Sequence, residues 1–140
     1  MAVERTFAIA KPDSVKDGHL GEILTAIEQS GLKIVGLKMT QLTPAICKGF
    51  YHEHVTKGFY KELEDFMTEG PVAIMVLEGE NAILRWRELM GATNPEKADA
   101  GTLRKRFGAN IGRNATHGSD KTESAAFEVS FFFNCFEHVG

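Results

Sequence analysis

The stretch that most limits what this 140-residue chain can become is the unbroken apolar run Val72–Leu77 (VAIMVL). Gly70-Pro71 stops whatever precedes it, and Glu78 ends it. A short apolar run of this kind, rich in β-branched and aliphatic residues, predicts a central strand covered on at least one face. It is far too short to span a bilayer. Around it the apolar period changes. Thr6–Ala10 reads as a short strand ended by Pro12, which cannot donate to a ladder. Leu20, Ile23, Leu24 and Ile27 repeat at helical spacing before Gly31. Leu32–Met39 predicts a strand in which Val35, Leu37 and Met39 alternate with Gly36 and Lys38. Thr43-Pro44 opens a helix, Phe59, Leu63, Phe66 and Met67 mark another, and Ala82, Ile83, Trp86, Leu89 and Met90 a third that stops at Gly91.

After Pro95 the periodicity fades. Residues 91–119 carry five glycines and read as loop with one short helix near 100–107, a length of loop that points to function. In the last segment, Asp120-x-x-Glu123 has the form of a capping box and favours a helix over 121–133, against a competing strand-like alternation of Phe127, Val129, Phe131 and Phe133. Interspersed strands and helices give an α/β sandwich, but periodicity does not order the strands. Without a linker, repeat or low-complexity tract, the chain is expected to form one domain over 1–140. The ten Phe are enough to fill a core. Two cysteines, Cys47 and Cys135, make neither a disulfide framework nor a zinc site. The N-terminal segment has no signal-peptide core, so a cytoplasmic protein is expected.

Charge is unevenly spread. The net charge is −3, yet residues 100–119 hold Arg104, Lys105, Arg106 and Arg113 with no acid, which leaves −7 on the rest. An acidic body argues against a polyanion-binding protein. A +4 island suits a small anionic ligand. His117 lies at the end of that island, in Asn114-Ala115-Thr116-His117-Gly118-Ser119-Asp120. Small and polar neighbours leave its imidazole accessible, a nearby carboxylate can fix its tautomer, and cations alongside can neutralise a phosphate. Residue chemistry alone leaves this phosphorylatable histidine level with an ordinary exposed one.

Other residues carry weaker signals. His52 and His54 flank Glu53 at the wrong spacing for a helical metal pair, and His19 and His138 read as solvated. Lys11 follows a strand, as a ligand-binding lysine or a solvated end charge. Arg87 borders a helical stripe, and Phe59 falls within one, which makes core its default place. No P-loop is present.

Six blocks then converge: ERTFAIAKPD at 4–13, GFY at 49–51, FMTEGPVAIMVLEGEN at 66–81, GATNP at 91–95, AGTLR at 100–104, and NATHGSD at 114–120 followed by ESA at 123–125. In these blocks and their order, the chain closely resembles the nucleoside diphosphate kinases. The resemblance implies a ferredoxin-like α/β (α+β) sandwich with a four-stranded antiparallel sheet covered by helices. It also implies transfer of a γ-phosphate, mainly from ATP, to nucleoside diphosphates in two half-reactions through a phosphohistidine at His117. Glu128 is expected to orient the ring, with Ser119 beside it. Lys11, Arg87, Thr93 and Arg104 are expected on the phosphates, Lys11 and Asn114 on the ribose, and Tyr51 near the histidine. Phe59 and Ile111 would hold the two faces of the base, which favours breadth across bases. Mg²⁺ would ride on the phosphates without a dedicated protein cage. A homo-oligomer, tetramer or hexamer, is expected, with no need of membrane or nucleic acid.

Four positions depart from the family pattern: Gly58 for a Pro before the stacking Phe, Arg106 for an acid, Phe127 for a charged residue, and the tail FFFNCFEHVG. They imply a looser hairpin, a stronger cationic island that lacks a steadying ion pair, a partner surface, and altered subunit contacts. The competing readings are a nucleotide-binding protein of the same fold without turnover, and a nucleic-acid-binding ferredoxin-like domain, which the acidic balance opposes.

Overall fold

A computed structural model of the chain describes residues 3–140. In chain order the elements are β1 (Val3–Ala10), α1 (Pro12–Lys16), α2 (Leu20–Gln29), β2 (Lys33–Thr40), α3 (Pro44–Phe50), α4 (Tyr60–Met67), β3 (Val72–Glu80) and α5 (Ala82–Met90). A 3₁₀ turn (Pro95–Lys97), α6 (Leu103–Phe107), β4 (Thr116–Gly118) and α7 (Thr122–Phe132) complete it.

The four strands form one antiparallel sheet in the order β2-β3-β1-β4. Strand β3 is central, and the run Val72–Leu77 is buried on both faces. Alternation divides it: Val72, Ile74 and Val76 join Phe7, Ile9, Phe50, Phe66 and Phe133 in one core, while Ala73, Met75 and Leu77 join Ile23, Ile27, Trp86 and Leu103 in the other. Thus α3, α4 and α7 cover one face, and α2, α5 and α6 the other. Full burial of an aliphatic side chain is worth about 1.5–3 kcal/mol, so this run anchors both layers.

Strand β2 differs from its sequence reading. Its ladder with β3 slips between Ile34 and Gly36, and a slip of one residue exchanges the faces of a strand. Leu37, 47% exposed, and Met39 therefore stand out on an edge strand, while Gly36 is buried. The helix over the last segment forms as expected, but the capping box does not. Lys121 occupies the N-cap without a side-chain cap, and Asp120 accepts a hydrogen bond from the Ser124 hydroxyl instead. The long loop is more ordered than its composition implied, since it contains the 3₁₀ turn, α6 and the fourth strand.

Candidate active site

Register delivers His117. It pairs across the ladder with Ile9, so its ring projects to the face covered by α3, α4 and α7. Helix α5 fixes the strand from the other side: Trp86 Nε1 donates to the His117 carbonyl at 3.1 Å. The strand passes so close that a Cβ on Gly118 would lie 2.5 Å from the Trp86 ring and 2.6 Å from Met90. Only glycine fits there.

On that face, His117 Nε2 lies 2.9 Å from Glu128 Oε1 of α7, and the Ser119 hydroxyl donates to the same oxygen at 2.9 Å. One carboxylate oxygen thus ties together the two strand-end residues and leaves Nδ1 as the ring nitrogen outside this bond. Phe7, Phe50 and Tyr51 surround the imidazole, with ring centroids 6.2, 5.5 and 6.4 Å away. The Tyr51 hydroxyl is buried without a partner among the described residues, and burial pushes its pKa well above the usual range.

The cations gather nearby. Lys11, at the end of β1, is almost fully buried, and its Nζ donates to Asn114 Oδ1 at 2.8 Å. Burial, followed by repulsion from Arg104, lowers its pKa to about 8. Arg104 on α6 donates to the carbonyls of Gly91 and Thr116 at 3.1 and 2.9 Å. Its Nε is buried without a partner among the described residues. Burial, then the charge of Arg87, pushes its pKa down to about 10. Like charges held out of water in this way favour an incoming anion. The Asn114 amide also donates to the Thr93 carbonyl at 3.0 Å, which joins two more of the expected residues. Arg87 and Thr93 themselves are exposed.

The connection into β4 is strained. Ala115 is fully buried with φ 74°, a left-handed conformation that costs a non-glycine residue roughly 1–2 kcal/mol. Its neighbours close a hydrogen bond across it, Thr116 N to Asn114 O at 2.9 Å, the pattern of the rare, strained γ-turn.

The cationic island is not one surface. Of its four cations, Arg104 is the one hydrogen-bonded to the backbone beside His117. Arg113 makes a bidentate pair with Glu69 and lies over Phe66. Arg106 pairs with Glu22 at 2.7 Å, so this arginine brings an ion pair of its own to α6 where its loss was expected. His19 stacks on Phe107, and His138 lies 2.9 Å from an Arg5 nitrogen, so neither is simply solvated. Phe59 is the residue before α4 and is 52% exposed, which removes it from the core its stripe suggested. Ile111 is 62% exposed on a separate loop. A chain of ring contacts runs from Phe59 through His54 and Tyr51 to His117. Phe50, Trp86 and Asp13 were given no place in the site by sequence reasoning, and His54 was weighed there only as half of a metal pair; Phe50 had only its place beside Tyr51 to betray it.

A histidine held by a carboxylate beside a buried cation cluster, on a four-stranded ferredoxin-like sheet, has the make-up of a phosphoryl-transfer site. The family model described as nucleoside diphosphate kinase matches residues 4–138. The chain is 53% identical over 137 residues to a nucleoside diphosphate kinase from Oleidesulfovibrio alaskensis, covering 98% of this chain and 99% of that one. It is likewise 53% identical over 138 residues to one from Trichlorobacter lovleyi, covering 99% and 100%. Among solved structures, the Aquifex aeolicus nucleoside diphosphate kinase superposes with a TM-score of 0.96 at 45% identity, over 99% of this chain and 100% of that one. A halophilic nucleoside diphosphate kinase from Halobacterium salinarum, solved in complex with CDP, gives 0.95 at 40% identity, over 99% and 93%. This chain belongs to the nucleoside diphosphate kinase family, and its activity is the family's transfer of a γ-phosphate between nucleotides. No described helix is long and apolar enough to cross a membrane.

Proposed function

We propose that His117 carries the phosphoryl group between two half-reactions. Nδ1 attacks the γ-phosphorus of a nucleoside triphosphate, the bond to the β-phosphate oxygen breaks, and the diphosphate leaves. A β-phosphate oxygen of a second diphosphate then attacks that phosphorus, the P–N bond breaks, its electron pair returns to Nδ1, and a new triphosphate leaves. The observation that carries this reading is the bond from His117 Nε2 to Glu128. A proton shared there keeps the lone pair on Nδ1 and stabilises the charge that the ring gains as it is phosphorylated. Ser119 steadies the carboxylate. Lys11, Arg87 and Arg104, with Thr93, take the phosphates, and their stabilisation of charge supplies most of what phosphoryl transfer needs. Lys11 and Asn114 reach the ribose, Tyr51 sits by the transferring group, and Phe59 and Ile111 hold the base.

Among the described residues no three His, Cys, Asp or Glu side chains converge as metal ligands, and the side chains assigned to the phosphates, Lys11, Arg87 and Arg104, are cations suited to phosphate oxygens. In this reading Mg²⁺ enters with the nucleotide, bound to its β- and γ-phosphates, and neutralises charge there. The same reading takes the chain as one domain, supported by a family match spanning 4–138, and places it in the cytoplasm. It also takes it as a homo-oligomer, tetramer or hexamer, supported by the apolar Leu37 and Met39 on an open sheet edge.

Incubation with γ-labelled ATP should give an acid-labile, alkali-stable phosphoenzyme that transfers its label to dGDP. His117→Gln should form none. Label retained by that variant would overturn the assignment.

A further inference from the structure

We propose that Asp13 is a positioning residue for phosphoryl transfer, acting through the strained backbone of Ala115 to fix where β4 delivers His117. The inference rests on the phosphohistidine reading above and extends it to a residue that touches no substrate.

The physical problem is local. Ala115 is one of two described non-glycine residues with a positive φ, and the other, Asn81, is of a type that tolerates this region. Alanine has no side-chain hydrogen bond to offset its steric cost, so the surroundings must impose the conformation. They do so from one short stretch of chain. Asp13 Oδ2 accepts from the Ala115 N–H at 3.1 Å, while the Ser14 hydroxyl and the Lys11 N–H donate to the Ala115 carbonyl at 2.7 and 2.9 Å. The other Asp13 oxygen, Oδ1, accepts from Ser14 N at 2.9 Å and so holds the carboxylate in line. Both backbone polar groups of the strained residue are thereby gripped by the start of α1.

What hangs on this corner is the site. Asn114, on one side, accepts from Lys11 Nζ; Thr116, on the other, accepts from Arg104; His117 follows next. A relaxed Ala115 would rotate the strand against the phosphate cations and misalign Nδ1 with the bond it must attack. Misplacement by about 1 Å can cost roughly 100-fold in rate. Asp13 also faces the charges of Lys11 and Arg113, so a purely electrostatic role has to be separated from the positional one.

The separation comes from kinetics and from a second site. Asp13→Asn keeps the shape but loses one acceptor. It should lower kcat by roughly 10-fold or more while KM for ATP changes by less than about 3-fold. Ala115→Gly, which removes the steric cost of the left-handed corner, should return kcat of the Asp13→Asn protein to within about 3-fold of wild type. Ser14→Ala, which deletes only the bond to the Ala115 carbonyl, should lower kcat in the same manner but less, and it provides the comparison if Asp13→Asn does not fold. The proposal is overturned by an unchanged kcat, by a loss confined to KM, or by failure of the glycine to rescue. Phosphoenzyme formation in the wild type is measured first. Its absence would remove the phosphohistidine reading itself, whereas its presence with unaffected Asp13 and Ser14 variants would remove the positioning role alone.

Discussion

The two ends of the site are built on opposite plans. At the proposed phosphate end, His117, Glu128, Ser119, Lys11, Arg104 and Asn114 are partly or wholly buried and tied by hydrogen bonds to strands and helices on both sides of the sheet. At the proposed base end, Phe59 and Ile111 stand more than half exposed on separate loops, and neither offers a hydrogen bond from its side chain. The difference separates two tasks. Transfer between chemically equivalent phosphates depends on fixed geometry and concentrated charge, which rigid elements supply. Acceptance of many bases depends on apolar faces that read no donor or acceptor pattern.

The comparison can be broken first at its rigid end. Glu128→Ala leaves the imidazole without its hydrogen-bond partner, and kcat should fall by roughly 100-fold with little change in KM. A loss shared equally by KM would assign Glu128 to nucleotide binding instead. A pH series addresses the cations. Folded Lys11 releases its proton near 8 instead of at its ordinary 10.5. Between these values the unfolded chain holds more protons than the folded one, so the contribution of Lys11 to stability rises with pH across that window. Its charge on the phosphates is meanwhile lost. For wild type, kcat/KM should fall above pH about 8, by up to roughly 10-fold per unit, and the Lys11→Arg profile should lack that limb. The base end should yield least. Phe59→Ala should raise KM by about 5-fold, the equivalent of about 1 kcal/mol of stacking, and by the same factor for adenine, guanine, cytosine and thymine nucleotides. A factor that differs strongly between bases would show that this end reads more than ring faces.

How far the molecule could be read in its sequence follows the same division. The apolar run Val72–Leu77 and the stripe of α5 announced themselves because their periodicity is written in large residues. The strand carrying His117 did not: it has only three residues, Thr116, His117 and Gly118, and its partner β1 defines it. Phe59 misled because a helical stripe continues into it, although the helix starts one residue later. The +4 island pointed to the site as a whole, yet neighbours elsewhere in the chain, Glu22 and Glu69, take Arg106 and Arg113 into ion pairs. Asp13 was silent because it works through the backbone of a residue 102 positions away. The resemblance to a family supplied the roles of Lys11, Arg104 and Asn114; composition gave only their charge or polarity.

The central claim is that a carboxylate on one ring nitrogen commits the other to the phosphate. Heteronuclear NMR of the freshly phosphorylated, ¹⁵N-histidine-labelled protein distinguishes the two nitrogens directly. The account predicts one phosphohistidine, at His117, with phosphorus bonded to Nδ1 and a proton retained on Nε2. Phosphorus on Nε2, or on Ser119, would contradict it.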